Sequence, residues 1–157
     1  MTKNRSITCV LHPSKLLALP PEISVSCASQ LMRAREVGAV LVMSGAKLLG
    51  IVTERDINFG VVALGRDPET TCLSAIMTPD PDTVPHTARI AEAMDLMEAN
   101  GYRHIPVVKG GTVLGIVSIR DIFAELRKDL EENIALRDEF MFGSSYSLPF
   151  HHTVRTH

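Results

Sequence analysis

The sequence predicts an α/β (α+β) fold built twice, with a long helix at its C-terminal end. Three observations predict it. The stretch Leu49-Gly50-Ile51-Val52-Thr53-Glu54-Arg55-Asp56-Ile57 returns 65 residues later as Leu114-Gly115-Ile116-Val117-Ser118-Ile119-Arg120-Asp121-Ile122. Aligned at that offset without gaps, residues 17–57 and 82–122 are identical at 14 of 41 positions. Agreement at that level marks a duplication. Within each copy the hydrophobic pattern also changes in the same order, from a helical period to two short apolar runs split by a Gly turn, and back to helical. Each half therefore reads strand–helix–strand–strand–helix. Two copies do not make a solenoid, so the halves are expected to bury their faces on each other.

The elements follow in order. Residues 1–16 form a lead-in, with Ile7–Leu11 a short strand or turn. Ser24 or Ser26 caps a helix running to about Val37, with a stripe of Ala28, Leu31 and Ala34 or Arg35. Ala39–Met43 and Leu48–Val52 are apolar runs around the turn Ser44-Gly45-Ala46-Lys47, a buried hairpin. From Thr53 the pattern is helical through Val62 and stops near Gly65, which closes the first half at 17–65. Residues 66–81 are the linker, polar over Arg66–Thr71. In the second half, 82–126, Thr83-Val84 is a short strand. Thr87 caps a helix with stripe Ile90, Met94 and Met97, and Asn100-Gly101 stops it. Ile105–Val108 and Val113–Val117 form the second hairpin around Lys109-Gly110-Gly111. A long helix starts near Ser118 and extends to about Glu139, so residues 127–157 are a helical extension followed by an irregular tail from Phe140.

Composition sets limits on function. At 157 residues the chain makes one domain or two tightly packed subdomains. Apolar content of 45% and charged content of 22% are those of an ordinary globular protein. A net charge of −2 with no basic patch gives no support to nucleic-acid binding. No apolar run of about 20 residues is present, so no membrane helix is expected, and the first residues lack the apolar region of a secretory signal. Cys9, Cys27 and Cys72 are odd in number and far apart, which suits reduced thiols in a cytoplasmic protein. His151, His152 and His157 have no Cys or acidic neighbours, so no metal site is expected. No nucleophile–base pair, Walker loop or H-E-x-x-H is present, so no catalytic residue is assigned.

The repeated polar block admits two readings. Thr53-Glu54-Arg55-Asp56 and Ser118-Ile119-Arg120-Asp121 follow the hydroxyl-x-x-acid pattern that caps a helix, although Asp is a short acid for that reach. The same residues suit a nucleotide. A helix N-terminus offers free N–H groups to a phosphate. The hydroxyl adds a bond, Arg supplies a planar cationic fork, and Asp can accept a ribose diol. A cap does not require the Arg, and both copies have it.

The duplicated block after a hairpin resembles the tandem CBS domain, or Bateman module, of the stand-alone two-repeat type. Tyr102-Arg103-His104-Ile105-Pro106-Val107-Val108 is similar to that family's R-H-x-P-V-V strand, and Met77-Thr78-Pro79 before Thr83-Val84 is similar to the start of its second repeat. The resemblance covers roughly Leu11 to Leu126. It implies two βαββα repeats packed about a pseudo-twofold axis, with two clefts between them that take adenine ligands such as AMP, ADP, ATP, NADH or S-adenosylmethionine. Carried over residue by residue, it implies that Asp56 and Asp121 hold ribose and that Thr53, Arg55, Ser118 and Arg120 face phosphate. It also implies that Thr83, Arg103, His104, Ile105 and Pro106 lie against the base. The first half departs from the pattern: Gly38-Ala39-Val40-Leu41 stands where the second has Arg103-His104-Ile105-Pro106, with no cation and no Pro.

The function expected is a non-catalytic regulatory module, a homodimer by resemblance, that binds an adenine nucleotide and passes its ligand state to a protein partner. The alternative is a dimeric scaffold or interaction module without ligand, its repeated block serving only as helix caps. On the last helix, Leu126, Leu130, Ile134 and Phe140 form a partial apolar stripe that can pack on its own module or on a partner.

Overall fold

The computed structural model describes residues 4–142, with side chains through residue 137. In the first repeat β1 (Ala18–Leu19), α1 (Val25–Arg35), β2 (Ala39–Ser44) and β3 (Lys47–Thr53) lead into α2 (Glu54–Ile57), which continues as a π-turn over Asn58–Val62. A short strand, β4 (Thr78–Pro79), follows in the linker. The second repeat has β5 (Val84–Pro85), α3 (Ile90–Asn100), β6 (His104–Lys109), β7 (Thr112–Ser118) and α4 (Ile119–Phe142). The sheets are ordered β1-β2-β3-β4 and β5-β6-β7. In each, the first strand runs parallel to the second, and the second and third form an antiparallel hairpin. The duplication extends to register: Ala39 pairs with Thr53 as His104 pairs with Ser118, and both hairpins slip at the same place, Val42/Met43 and Val107/Val108.

Both faces of each hairpin are covered, which is why its strands read as continuous apolar runs. Alternation sorts the side chains. Val40, Val42 and Val52 pack with Val25, Ala28 and Met32 of α1 in the core of the first repeat. Ala39, Leu41 and Ile51 form, with Ile116 of the other sheet, the layer where the repeats meet. In the second repeat Ile105, Val107 and Val117 pack on Ile90, Ala93 and Met97 of α3. The identities Ala28/Ala93 and Met32/Met97 are thus the repeated helix-to-sheet contact.

Several expectations shift. The buried face of α1 is Val25, Ala28 and Met32, while Ala34 and Arg35 are exposed. The helix starts on a buried valine, and that phase sets its face. Ser24 is the N-cap, its hydroxyl accepting from the Cys27 N–H at 3.2 Å. Thr87 does not cap α3, which starts after Arg89. There the Arg89 N–H donates to the Glu92 carboxylate at 2.8 Å, and the Ile90 N–H donates to the Arg5 carbonyl at 3.0 Å. Ile7–Val10 is a 3-10 helix, and the first strand is Ala18–Leu19. The helix α4 includes Phe140, Met141 and Phe142, expected in the irregular tail; the rest of that tail, with His151, His152 and His157, lies outside the described residues.

The connecting segments cross over. Ile7 and Val10 of the lead-in are buried in the core of the second repeat, and Leu73 of the linker is buried in the core of the first. Ser6 bridges to Arg89 and Cys72 to Ser24, each at the start of a helix. The motif glycines make this close packing possible. A Cβ on Gly50 would lie 2.5 Å from Met77 Sδ, and one on Gly115 would lie 2.7 Å from Leu11 Cδ1. No helix among the described residues is long and apolar enough to cross a membrane.

Candidate ligand-binding cleft

Each hairpin ends at a helix start, and one backbone bond fixes the two together. The Glu54 N–H donates to the Gly38 carbonyl at 3.1 Å, and the Ile119 N–H donates to the Arg103 carbonyl at 2.8 Å. This tether brings the first residue of the hairpin beside the repeated polar block in both copies. Both blocks close as caps. The Thr53 N–H and hydroxyl each donate to Asp56 Oδ2 at 2.7 Å. The Ser118 N–H donates to Asp121 Oδ2 at 3.2 Å, joined there by the Ser118 hydroxyl. Asp therefore does reach back to the cap, because each cap residue is extended and turns its own N–H toward the first helical turn. In both copies only Oδ2 is used in this way.

The second block opens on a cleft of about 710 Å³ between the repeats, within the usual size of a small-molecule site. Its walls come from both halves. The second repeat gives Arg103 and His104 from the start of β6, Ile116 and Ser118 from β7, and Ile119, Arg120 and Asp121 from α4. The first gives Ser29, Met32, Arg33 and Glu36 around α1, Val37, Gly38 and Ala39 leading into β2, and Glu54 and Ile57. Lys15 of the lead-in completes the rim. The cleft thus combines apolar walls with the cations Lys15, Arg33, Arg103 and Arg120 and the carboxylates Glu36, Glu54 and Asp121.

Asp121 Oδ1, the oxygen left free by the cap, accepts from Lys15 Nζ at 2.8 Å. Burial pushes the Asp121 carboxyl up, but the Lys15 ammonium and the Ser118 hydroxyl and N–H outweigh it and hold the group below its ordinary value. His104 is lowered: burial disfavours its charged form, and the nearby Glu54 and Asp121 carboxylates only partly offset this. Gly38 forms the opposite wall, where a Cβ would lie 3.4 Å from the Glu54 carboxylate and 3.5 Å from the His104 ring. Glycine at this position, in place of the arginine of the other copy, leaves room for His104. Arg103 and Arg120 are exposed, and neither forms an ion pair among the described residues.

Of the residues singled out from the sequence, the structure brings Arg103, His104, Ser118, Arg120 and Asp121 into one cleft. The others stand apart. Ile105 is fully buried in the core of its own repeat. Pro106 is buried, and Thr83 is exposed just before β5. Thr53, Arg55 and Asp56 do not line this cleft, and Arg55 lies over the Phe59 ring at 5.3 Å. Lys15 and Glu54 were missed. Lys15 meets Asp121 across 106 residues of chain, a contact no local pattern announces. Glu54 was legible, since it sits inside the repeated block where Ile119 stands in the other copy. No group of three or more His, Cys, Asp or Glu able to hold a metal occurs among the described residues.

The model of the CBS domain matches this chain twice, over residues 11–61 and 73–128. The chain belongs to the CBS domain family. A CBS domain-containing protein of Arabidopsis thaliana, CBSCBSPB3, is 35% identical over 150 residues, covering 89% of this chain and 27% of that protein. The chain thus spans about a quarter of the length of CBSCBSPB3 and of the related CBSCBSPB2 of the same plant. Among solved structures, a protein with CBS domains from Burkholderia ambifaria is 31% identical with a TM-score of 0.76, over 80% of this chain and 96% of that one. A further CBS domain pair, solved in complex with 5′-methylthioadenosine and S-adenosyl-L-methionine, has a TM-score of 0.70 over 78% of this chain and 99% of that one. At 21% identity that likeness is one of fold.

Proposed function

We propose that this CBS pair is a non-catalytic regulatory module that binds an adenine nucleotide, AMP, ADP, ATP or NADH, in the cleft at Asp121 and passes its ligand state to a protein partner. The observation that carries the reading is the meeting, between two repeats, of apolar walls, a carboxylate with one oxygen outside the cap, and cations on both sides. Asp121 would accept the ribose hydroxyls, Arg120 would face phosphate and His104 would lie against the base, as the resemblance implies; Arg103, set against the base by the resemblance, is exposed and offers the phosphate a second cation. The fold accommodates adenosine ligands in a solved CBS pair. The first copy, Thr53, Arg55 and Asp56, is the weaker candidate, because its Gly38-Ala39 strand start brings no cation or ring to the site. Ligand would act by favouring one arrangement of the repeats, which requires different affinities for two arrangements. We also propose a homodimer, which sedimentation would register. Phe123, Leu130 and Ile134 of α4 are apolar and exposed, at 57%, 64% and 59%, and are spaced along one helix face.

The alternative is a scaffold without ligand, and the capping geometry of both Asp residues favours it. The two readings separate in a calorimetric titration of the protein and of its Asp121→Ala variant with AMP, ADP, ATP and NADH. A nucleotide-binding module gives saturable heat that the variant loses. A scaffold gives none in either protein, and its variant loses only the cap, about 1 kcal/mol of stability.

A further inference from the structure

The Lys15–Asp121 pair occupies the one carboxylate oxygen that the cap leaves open. Oδ2 of Asp121 is taken by the Ser118 N–H and hydroxyl, and Oδ1 by Lys15 Nζ at 2.8 Å. A ribose diol that approaches this carboxylate meets the ammonium first. Lys15 is about half exposed, at 52%, while Asp121 is only 12% exposed, so the lysine is the partner able to move. Its flexible stem keeps the displaced charge at the rim of the cleft, which Arg103 and Arg120 also line.

The consequence differs between two kinds of ligand. A neutral nucleoside breaks the ion pair and returns nothing to the ammonium. A nucleoside carrying a phosphate gives it a new anionic partner, shared with the two arginines. From this geometry we infer that Lys15 makes the cleft selective for phosphorylated over neutral adenosine ligands. The lead-in segment, outside both repeated blocks, thereby sets the ligand class. The inference rests on the adenine-nucleotide reading of the cleft and narrows it.

The test is titration with AMP and with adenosine of the parent protein, Lys15→Met and Lys15→Arg. The parent is expected to bind AMP at least about tenfold more tightly than adenosine, the scale of one charge-assisted bond. Lys15→Met should weaken AMP binding about tenfold while leaving adenosine unchanged or tighter, and Lys15→Arg should keep the preference. Equal binding of AMP and adenosine by the parent would overturn the selectivity and leave the nucleotide site standing. An AMP preference that survives undiminished in Lys15→Met would remove Lys15 as a source of the selectivity. Binding of neither compound by the parent would overturn this inference, while the titration with AMP, ADP, ATP and NADH decides the nucleotide reading separately.

Discussion

At Asp121 one carboxylate oxygen closes the first turn of α4 and the other faces Lys15. The cap and site readings of the sequence are therefore both compatible with one side chain. His104, on the preceding hairpin, lines the same cleft between the repeats, and its lowered pKa gives a pH signature. The unfolded chain takes up this proton near the ordinary histidine value of 6.5; the folded protein takes it up at lower pH. Stability from neutral His104 is thus complete above 6.5 and is lost as pH falls from there through the folded value. Asp121 acts in the same direction near and below its ordinary 3.8. Denaturant unfolding at about pH 7.5 and about pH 5.5 is expected to show a drop in stability that shrinks in His104→Gln. An equal drop in that variant would mean that other groups cause it. At this scale the sequence was readable where the block repeats, at Ser118, Arg120 and Asp121. The resemblance set Ile105 against the base, whereas its side chain is buried in the core of its own repeat; strand alternation already puts Ile105 on the face opposite His104 and Pro106.

Among the elements, the hairpins and the helices after them were the most legible, because pattern and turn chemistry agree there. Helix starts were less so. The expected Thr87 cap is replaced by the lead-in, whose Arg5 carbonyl satisfies an N–H at the start of α3; a tertiary bond took the place of a local one. The strand β4 was read as linker, since it is two residues long and defined only by its pairing of Gly50 with Pro79 and Ile51 with Thr78. This difference between the copies makes the two motif glycines unequal. On Gly50 a Cβ would meet the Thr78 backbone carbonyl at 2.9 Å as well as Met77, whereas on Gly115 it would meet only the Leu11 side chain. Gly50→Ala is expected to cost about 1–3 kcal/mol and Gly115→Ala less, because a leucine can change rotamer more easily than a paired strand can shift. Urea unfolding of the two variants measures this, and a larger loss for Gly115→Ala would contradict the packing account.

Across the whole molecule, the duplication predicts two similar halves but not how they are joined. The lead-in completes the second core and the linker completes the first, so neither repeat is a closed unit. The same crossing brings Lys15 to Asp121 and makes one cleft from residues of both halves. The departure at Gly38-Ala39, visible in the sequence, acquires its physical sense only here, where Gly38 faces the His104 ring from the opposite repeat. A ligand in such a cleft touches both halves and is placed to bias their arrangement. The measurement that bears most directly on the account is a titration of the isotopically labelled protein with each of AMP, ADP, ATP and NADH, followed by backbone amide resonances. Saturable shifts are expected at His104 and over Ile119–Asp121, with Gly38 and Glu54 of the facing repeat moving at the same midpoint. Absence of saturable shifts, or shifts confined to residues away from this cleft, would contradict the account.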